Sequence, residues 1–333
     1  MNYKTKLYWT IAFAALLYLA WCLWTGWESI LQAFAVFRWW ILPVCLALAF
    51  LNYIIRSFKW QYYLKILEIH LPFRISFQVF LAGLVMSATP GKIGEVFKSY
   101  LVKEINGTPM SRSAPIIVAE RFTDFIAFVL MALLGVTLLP NGGLVFSVSI
   151  GIIVLFLVLI SWKPAAGALI GLLARVPWVN RHLEKVRAAY ESTYRLIAPW
   201  PLCWATSVSL ISWFFEGVSF FLILWGFGHT LPLTSVVFIY AFSTIVGALF
   251  MTPGGIGPTE GAMGGMLILL YQIPAGIAAS ATLIVRICTL WYAVAVGMAV
   301  LTICASNFTR DPLAAISLDP ESPEPAPSPE QVP

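Results

Sequence analysis

Lys92, Glu95 and Lys98 follow one another at spacing three inside a strongly apolar stretch, and Glu120, Arg121 and Asp124 stand in the next one. Arg56, Glu216, Glu260 and Arg286 are further charges in apolar surroundings. Spacing three puts the first group on one face of a helix. Each such charge costs roughly 2.5–3.5 kcal/mol on membrane-insertion scales, so it marks a functional candidate. The chemistry on offer is phosphate binding by Arg56, Lys92, Lys98 and Arg121. Glu95 and Glu260 either balance those cations or meet the cationic part of a ligand. Structural pairing of Glu95 with Arg121 and of Glu260 with Arg286 is the competing reading, and it weighs most for Glu216 and Arg286. Arg56 lies near a span edge, where it could also snorkel. The first cluster holds more charges than pairing requires, which favours ligand contact there, with Asp124 included.

The segments that position these charges are duplicated. Ser87-Ala88-Thr89-Pro90-Gly91-Lys92-Ile93-Gly94-Glu95 recurs as Leu249-Phe250-Met251-Thr252-Pro253-Gly254-Gly255-Ile256-Gly257-Pro258-Thr259-Glu260. The offset is 163 residues from Thr89 to Thr252 and 165 from Glu95 to Glu260, so Pro258-Thr259 reads as an insertion. Leu71-Pro72-Phe73 answers Leu231-Pro232-Leu233 at offset 160, which also carries Arg56 onto Glu216. Pro90, Gly91 and Gly94, like Pro253, Gly254 and Gly257, interrupt helical hydrogen bonding. Irregular backbone at membrane depth survives only inside protein or against water. A half-helix restarting near Gly94 or Gly257 would present amides and a positive dipole end to an anion. A ligand-free structural kink is the plainer alternative. Gly91-Lys92 lacks the spacing and the following Ser or Thr of a nucleotide-binding P-loop.

Composition restricts the fold class. The chain is 60% hydrophobic and 11% charged, with 14 Trp and 23 Phe, too apolar for a soluble surface. It reads as an all-α polytopic membrane protein with about six full spans, near 7–25, 40–62, 114–139, 144–162, 202–227 and 277–304, each about bilayer length. Two broken segments, 73–105 and 233–272, read as re-entrant hairpins. Lys4 and Lys6, then Lys59, Lys65 and Arg74, then Lys98, Lys103 and Arg112 mark one basic side, taken as cytoplasmic. The linker 163–200, rich in Lys and Arg, belongs on that side as amphipathic helix, with Trp178 and Trp200 at headgroup depth. Pro140-Asn141-Gly142-Gly143 and Gly228-His229-Thr230 carry no Lys or Arg and read as outer turns. Three crossings then separate equivalent points, so repeat 2 (about 202–304) is inverted relative to repeat 1 (about 40–139).

Residues 1–310 form a single membrane domain in this reading, and the Pro-rich, acidic stretch 311–333 a disordered cytoplasmic tail. The five cysteines lie in apolar segments without metal-ligand spacing, so neither disulfides, metal nor cofactor is expected. The net charge of +5 resides in loops and reports orientation, not nucleic-acid binding. His70, His182 and His229 have no visible nucleophile partner, so no catalytic set stands out. The rival is a membrane enzyme using Glu95 or Glu260 as base, or an accessory subunit of lipid or glycolipid assembly.

Residues 5–305 resemble the flippase-like integral membrane family related to the transmembrane domain of lysylphosphatidylglycerol synthase. The resemblance rests on Thr89-Pro90-Gly91-Lys92-Ile93-Gly94-Glu95, on Glu120-Arg121-Phe122-Thr123-Asp124, and on Pro253-Gly254-Gly255-Ile256-Gly257 with Glu260. In bifunctional relatives such a domain moves an aminoacylated phospholipid between leaflets and a soluble domain synthesises it. Here only the acidic tail follows residue 305. The resemblance therefore implies a lipid flippase of the bacterial inner membrane with both termini cytoplasmic. Its implied partners are a membrane lipid substrate and a separate lipid-synthesis enzyme. A headgroup pathway between the repeats would use Arg56, Lys92, Glu95, Lys98, Arg121, Asp124, Glu216, Glu260 and Arg286.

Overall fold

The computed structural model describes residues 27–89, 93–138 and 183–304, together with 143–144, 147–148, 150–151, 153–155 and 307–308. The expected span 7–25, most of 144–162, the first part of the linker and the tail lie outside them, as do Pro90, Gly91 and Lys92. Among the described residues every regular element is helical. The first is α1 (Trp27–Val36), followed by α2 (Ile41–Ile66) and α3 (Phe73–Gly83), which tightens into a 3-10 turn over Leu84–Ala88. After the first break the chain re-enters helix through Ile93–Val96 into α4 (Phe97–Asn106), and α5 (Pro115–Ala132) runs on into a 3-10 stretch ending at Leu138. Beyond the linker come α6 (Leu183–Leu196), α7 (Pro199–Gly226), α8 (Leu233–Leu249), α9 (Pro258–Tyr271), α10 (Ala275–Arg286), a π-turn Ile287–Trp291 and α11 (Tyr292–Ile303).

Among the described residues, three helices have the length and hydropathy to cross a bilayer: Ile41–Ile66, Pro199–Gly226 and Ala275–Ile303. They match the expected spans 40–62, 202–227 and 277–304. The broken segments consist of shorter apolar helices, Phe73–Ala88 and Leu233–Leu249, each followed by a Pro-Gly break. In α2 the buried residues include Ile41, Cys45, Ala49, Asn52, Tyr53, Arg56, Trp60, Tyr63 and Leu64. That recurrence at three and four residues is one helical stripe turned inward, while Val44, Leu51 and Phe58 remain exposed.

Elements recur in the same order in both halves, and so do their contacts. The stripe of α2 packs along α7. Helix α8 lies against α5 and its 3-10 extension; reciprocally, α3 and its 3-10 extension lie against α11. Close approach relies on small residues. A Cβ on Gly297 of α11 would come within 2.9 Å of the Leu84 carbonyl carbon and 3.0 Å of the Leu81 oxygen.

The ends of α2 and α7 are built alike, apart from one residue. Ile69 N–H donates to the Leu64 carbonyl (2.9 Å) and His229 N–H to that of Leu224 (3.0 Å), each closing a helix with a left-handed residue. That residue is Gly228 (φ 85°) after α7 but Glu68 (φ 58°) after α2. Glu68 accepts from Arg195 of α6 at 2.8 Å and lies 3.9 Å from Arg112. The hydrogen bond and charge of Arg195 hold its carboxyl below the usual value. The acid therefore ties the linker helix to the end of α2.

Candidate functional site

The first break is closed by its own threonine. Thr89 Oγ1 donates to the Met86 carbonyl (2.6 Å) and accepts from the Gly94 amide (3.0 Å), bridging the gap in the helix. A Cβ on Gly94 would sit 2.7 Å from that same side chain, so the bridge requires glycine.

The second break is held differently. Gly254, Gly255 and Gly257 all adopt positive φ, a region where glycine carries little strain. The Gly257 amide is not left for an external anion: it donates to Glu260 Oε2 at 2.7 Å. Glu260 Oε1 accepts from Arg286 Nε (2.7 Å), and Arg286 Nη2 reaches the Gly254 carbonyl. One arginine thus pins both sides of the break, and the expected pairing of Glu260 with Arg286 forms.

Between these breaks the charges of the first half form a chain of shared partners. Lys98 Nζ lies 2.5 Å from Glu120 and 3.6 Å from Glu95. It also stands 4.7 Å from the centre of the Trp60 ring and 5.2 Å from that of Phe80. Arg121 bridges Glu95 (3.3 Å) and Asp124 (3.0 Å). Asp124 further holds Lys59 (2.7 Å), accepts from Ser209 (2.8 Å) and lies 4.0 Å from Arg56. In such a low-dielectric place, removing one member strands its partners, so the network is held as a unit.

Lys59 corrects an expectation. Its position suggested a cytoplasmic edge, yet the residue is 0% exposed. The physical reason is local: Asp124 and Ser209 receive its ammonium, so it need not reach water. Its place three residues after Arg56, on the same helical face, was the available signal. Glu120 is likewise fully buried and central to the network.

A cavity of about 310 Å³ lies against both breaks and is lined from both halves. Of the expected binding residues, Arg56, Arg121, Asp124, Glu216 and Arg286 line it; Glu95, Lys98 and Glu260 stand behind, holding the lining residues or the breaks. Gly254 lines it as well. Arg56 is 4% exposed, and its Nε and Nη2 find no hydrogen-bond partner among the described residues. Its guanidinium is supported from the side by the Trp213 ring, 4.8 Å away, and by Phe80 at 5.7 Å. Also on the lining, Tyr240 donates to Glu216. Tyr53, Trp213 and Tyr240 are cavity residues not singled out in the sequence, where nothing distinguishes them from other span aromatics. Among the described residues no group of three His, Cys, Asp or Glu could hold a metal.

Comparison with known proteins agrees with this architecture. The profile of the lysylphosphatidylglycerol synthase transmembrane region matches residues 9–297. A UPF0104 membrane protein of Methanothermobacter thermautotrophicus is 25% identical over 94% of this chain and 98% of its own. A second from that organism is 23% identical over 80% of this chain and 86% of its own. A third, from Methanocaldococcus jannaschii, is 25% identical over 54% of this chain and 76% of its own. These relatives are archaeal and so lend no support to a bacterial envelope. With the profile spanning the breaks, the buried charges and the long apolar helices, the chain is a helical membrane protein that belongs to the lysylphosphatidylglycerol synthase transmembrane-region family.

Proposed function

We propose that this protein moves a phosphate-bearing lipid headgroup across the cytoplasmic membrane through the cavity between its two halves. The observation that carries this reading is Arg56: a buried guanidinium on the cavity wall with two nitrogens that have no hydrogen-bond acceptor among the described residues. A buried donor without a partner is unfavourable. A guanidinium fits phosphate oxygens in a fork, so a headgroup phosphate satisfies Arg56, with Arg121 beside it. Glu216 and Tyr240, which also line the cavity, offer a carboxylate and a hydroxyl to the remainder of the headgroup.

The halves act as an inverted repeat in this reading. Re-entrant hairpins are formed by the broken segments, and about six full spans surround them. The basic linker and both termini then face the cytoplasm. Support comes from the reciprocal contacts of α3 with α11 and α8 with α5, from the matching ends of α2 and α7, and from the basic loops. A membrane lipid is the substrate, and a lipid-synthesis enzyme is the natural functional partner. Reconstitution into vesicles containing a headgroup-labelled phospholipid tests the proposal. Protein-dependent movement between leaflets supports it; a new lipid product without movement would instead identify a membrane enzyme.

A further inference from the structure

The two breaks face different surroundings. In the first, Leu84, Val85, Met86, Ser87 and Ala88 are all buried, with α11 packed over them. In the second, Leu249, Phe250 and Met251 are 62%, 68% and 58% exposed. The chain leaves α8 there through Phe250 N–H to the Val246 carbonyl and Met251 N–H to that of Ala248, both at 3.2 Å. Met251 then takes φ 51°, which turns the backbone inward. Met251 and the next residue, Thr252, both line the cavity. Within four residues an exposed apolar lip passes directly into the cavity that Arg56 and Arg121 line.

We propose that this lip is the hydrocarbon subsite of the lipid, so that the ligand enters sideways from the bilayer at the second break. The inference rests on the headgroup reading of the cavity and deepens it. With the phosphate at Arg56 and Arg121, the acyl or isoprenoid chains lie over Leu249, Phe250 and Met251 without leaving the membrane. The occupant follows from continuity: Met251 belongs to the lip and to the cavity wall at once, and the guanidinium fixes an anionic head at one end of an apolar exit. A water-soluble anion would gain nothing from such a rim, whose three side chains offer it no polar group. Other exposed apolar residues do not share this property. Leu269 on α9 is 82% exposed but is absent from the cavity lining, which makes it a control for bulk lipid.

Photo-crosslinking in the full chain tests the proposal. Phe250→benzoylphenylalanine and Leu269→benzoylphenylalanine variants are placed in phosphatidylglycerol vesicles, irradiated and weighed for lipid adducts. Both positions should label. Adding Arg56→Gln should reduce the adduct at 250 by about tenfold, as loss of one charged hydrogen bond implies, and leave that at 269 unchanged. Equal sensitivity at both positions, or none at either, would mean that 250 sees only bulk lipid and would overturn the subsite. Arg56-dependent binding of soluble glycerol phosphate in detergent, with no Arg56-dependent adduct at 250 in vesicles, would also overturn it. The adduct reports occupancy alone. Its appearance without leaflet-to-leaflet movement would count against transport and not against the lip.

Discussion

Asn52 donates from Nδ2 to the carbonyl of Ser212 at 2.8 Å, and the two residues are 160 apart in the chain. The same offset relates Glu68 to Gly228 and Arg56 to Glu216. Residues in corresponding positions of α2 and α7 therefore touch each other where the two halves meet. Asn52→Ala removes this contact at a wholly buried place. It should destabilise the protein by about 1–2 kcal/mol, visible as a lower thermal midpoint in detergent. An unchanged midpoint would show that the α2–α7 seam is held by apolar packing alone.

Lys59→Met is expected to be the more damaging change. It leaves Asp124 and Ser209 short of a buried partner, which should cost about 3–5 kcal/mol and reduce the yield of folded protein. Arg56→Gln, only a turn away, should fold normally because Arg56 lies at the 4.0 Å margin of its ion pair with Asp124. Equal loss of fold in both variants would place Arg56 in the structural network instead of the cavity.

Glu95 and Arg121 distinguish pairing from ligand contact. Their 3.3 Å pair means that either single Gln variant strands a partner. The double variant restores neutrality and should recover the folded yield. Arg121 also faces the cavity, so the double variant should stay inactive in lipid movement. Full recovery of activity would make the pair purely structural.

The Glu68 carboxyl is held below its usual value by Arg195. A lowered folded value means that the stabilising pair is complete above the unfolded value and is lost as pH falls through the folded one, in the acid range below about 4.5. Amide protection in residues 183–196, corrected for the intrinsic pH dependence of exchange, should therefore fall on acidification through that window. High salt should weaken the same exposed pair at neutral pH. In Glu68→Gly, which matches Gly228, protection should be lower at neutral pH and, after the same correction, indifferent to both treatments. Unaltered exchange in that variant would show that α6 is anchored by Leu196 and Ile197 only.

Much of this architecture is legible in the chain because repetition leaves a mark on sequence. The paired Thr-Pro-Gly segments place both breaks, and apolar length places α2, α7 and α10–α11. Charges in apolar segments point to Glu95, Arg121 and Asp124, which do meet. What stayed hidden depends on side-chain direction. Lys59 and Arg74 both follow Arg56 as basic residues, and only the helical stripe turns Lys59 inward. Likewise, Thr89 and Thr252 occupy the same motif. One bridges its break, while Oγ1 of the other is buried with no hydrogen-bond partner among the described residues.

The most direct measurement of the central claim is the initial rate of headgroup movement across vesicles containing either the wild-type protein or Arg56→Gln, matched for thermal midpoint. The account predicts protein-dependent movement that falls at least about tenfold in the variant, the worth of a charged hydrogen bond to phosphate. A wild-type rate in Arg56→Gln would contradict it, as would a folded wild-type protein that moves no phosphate-bearing lipid.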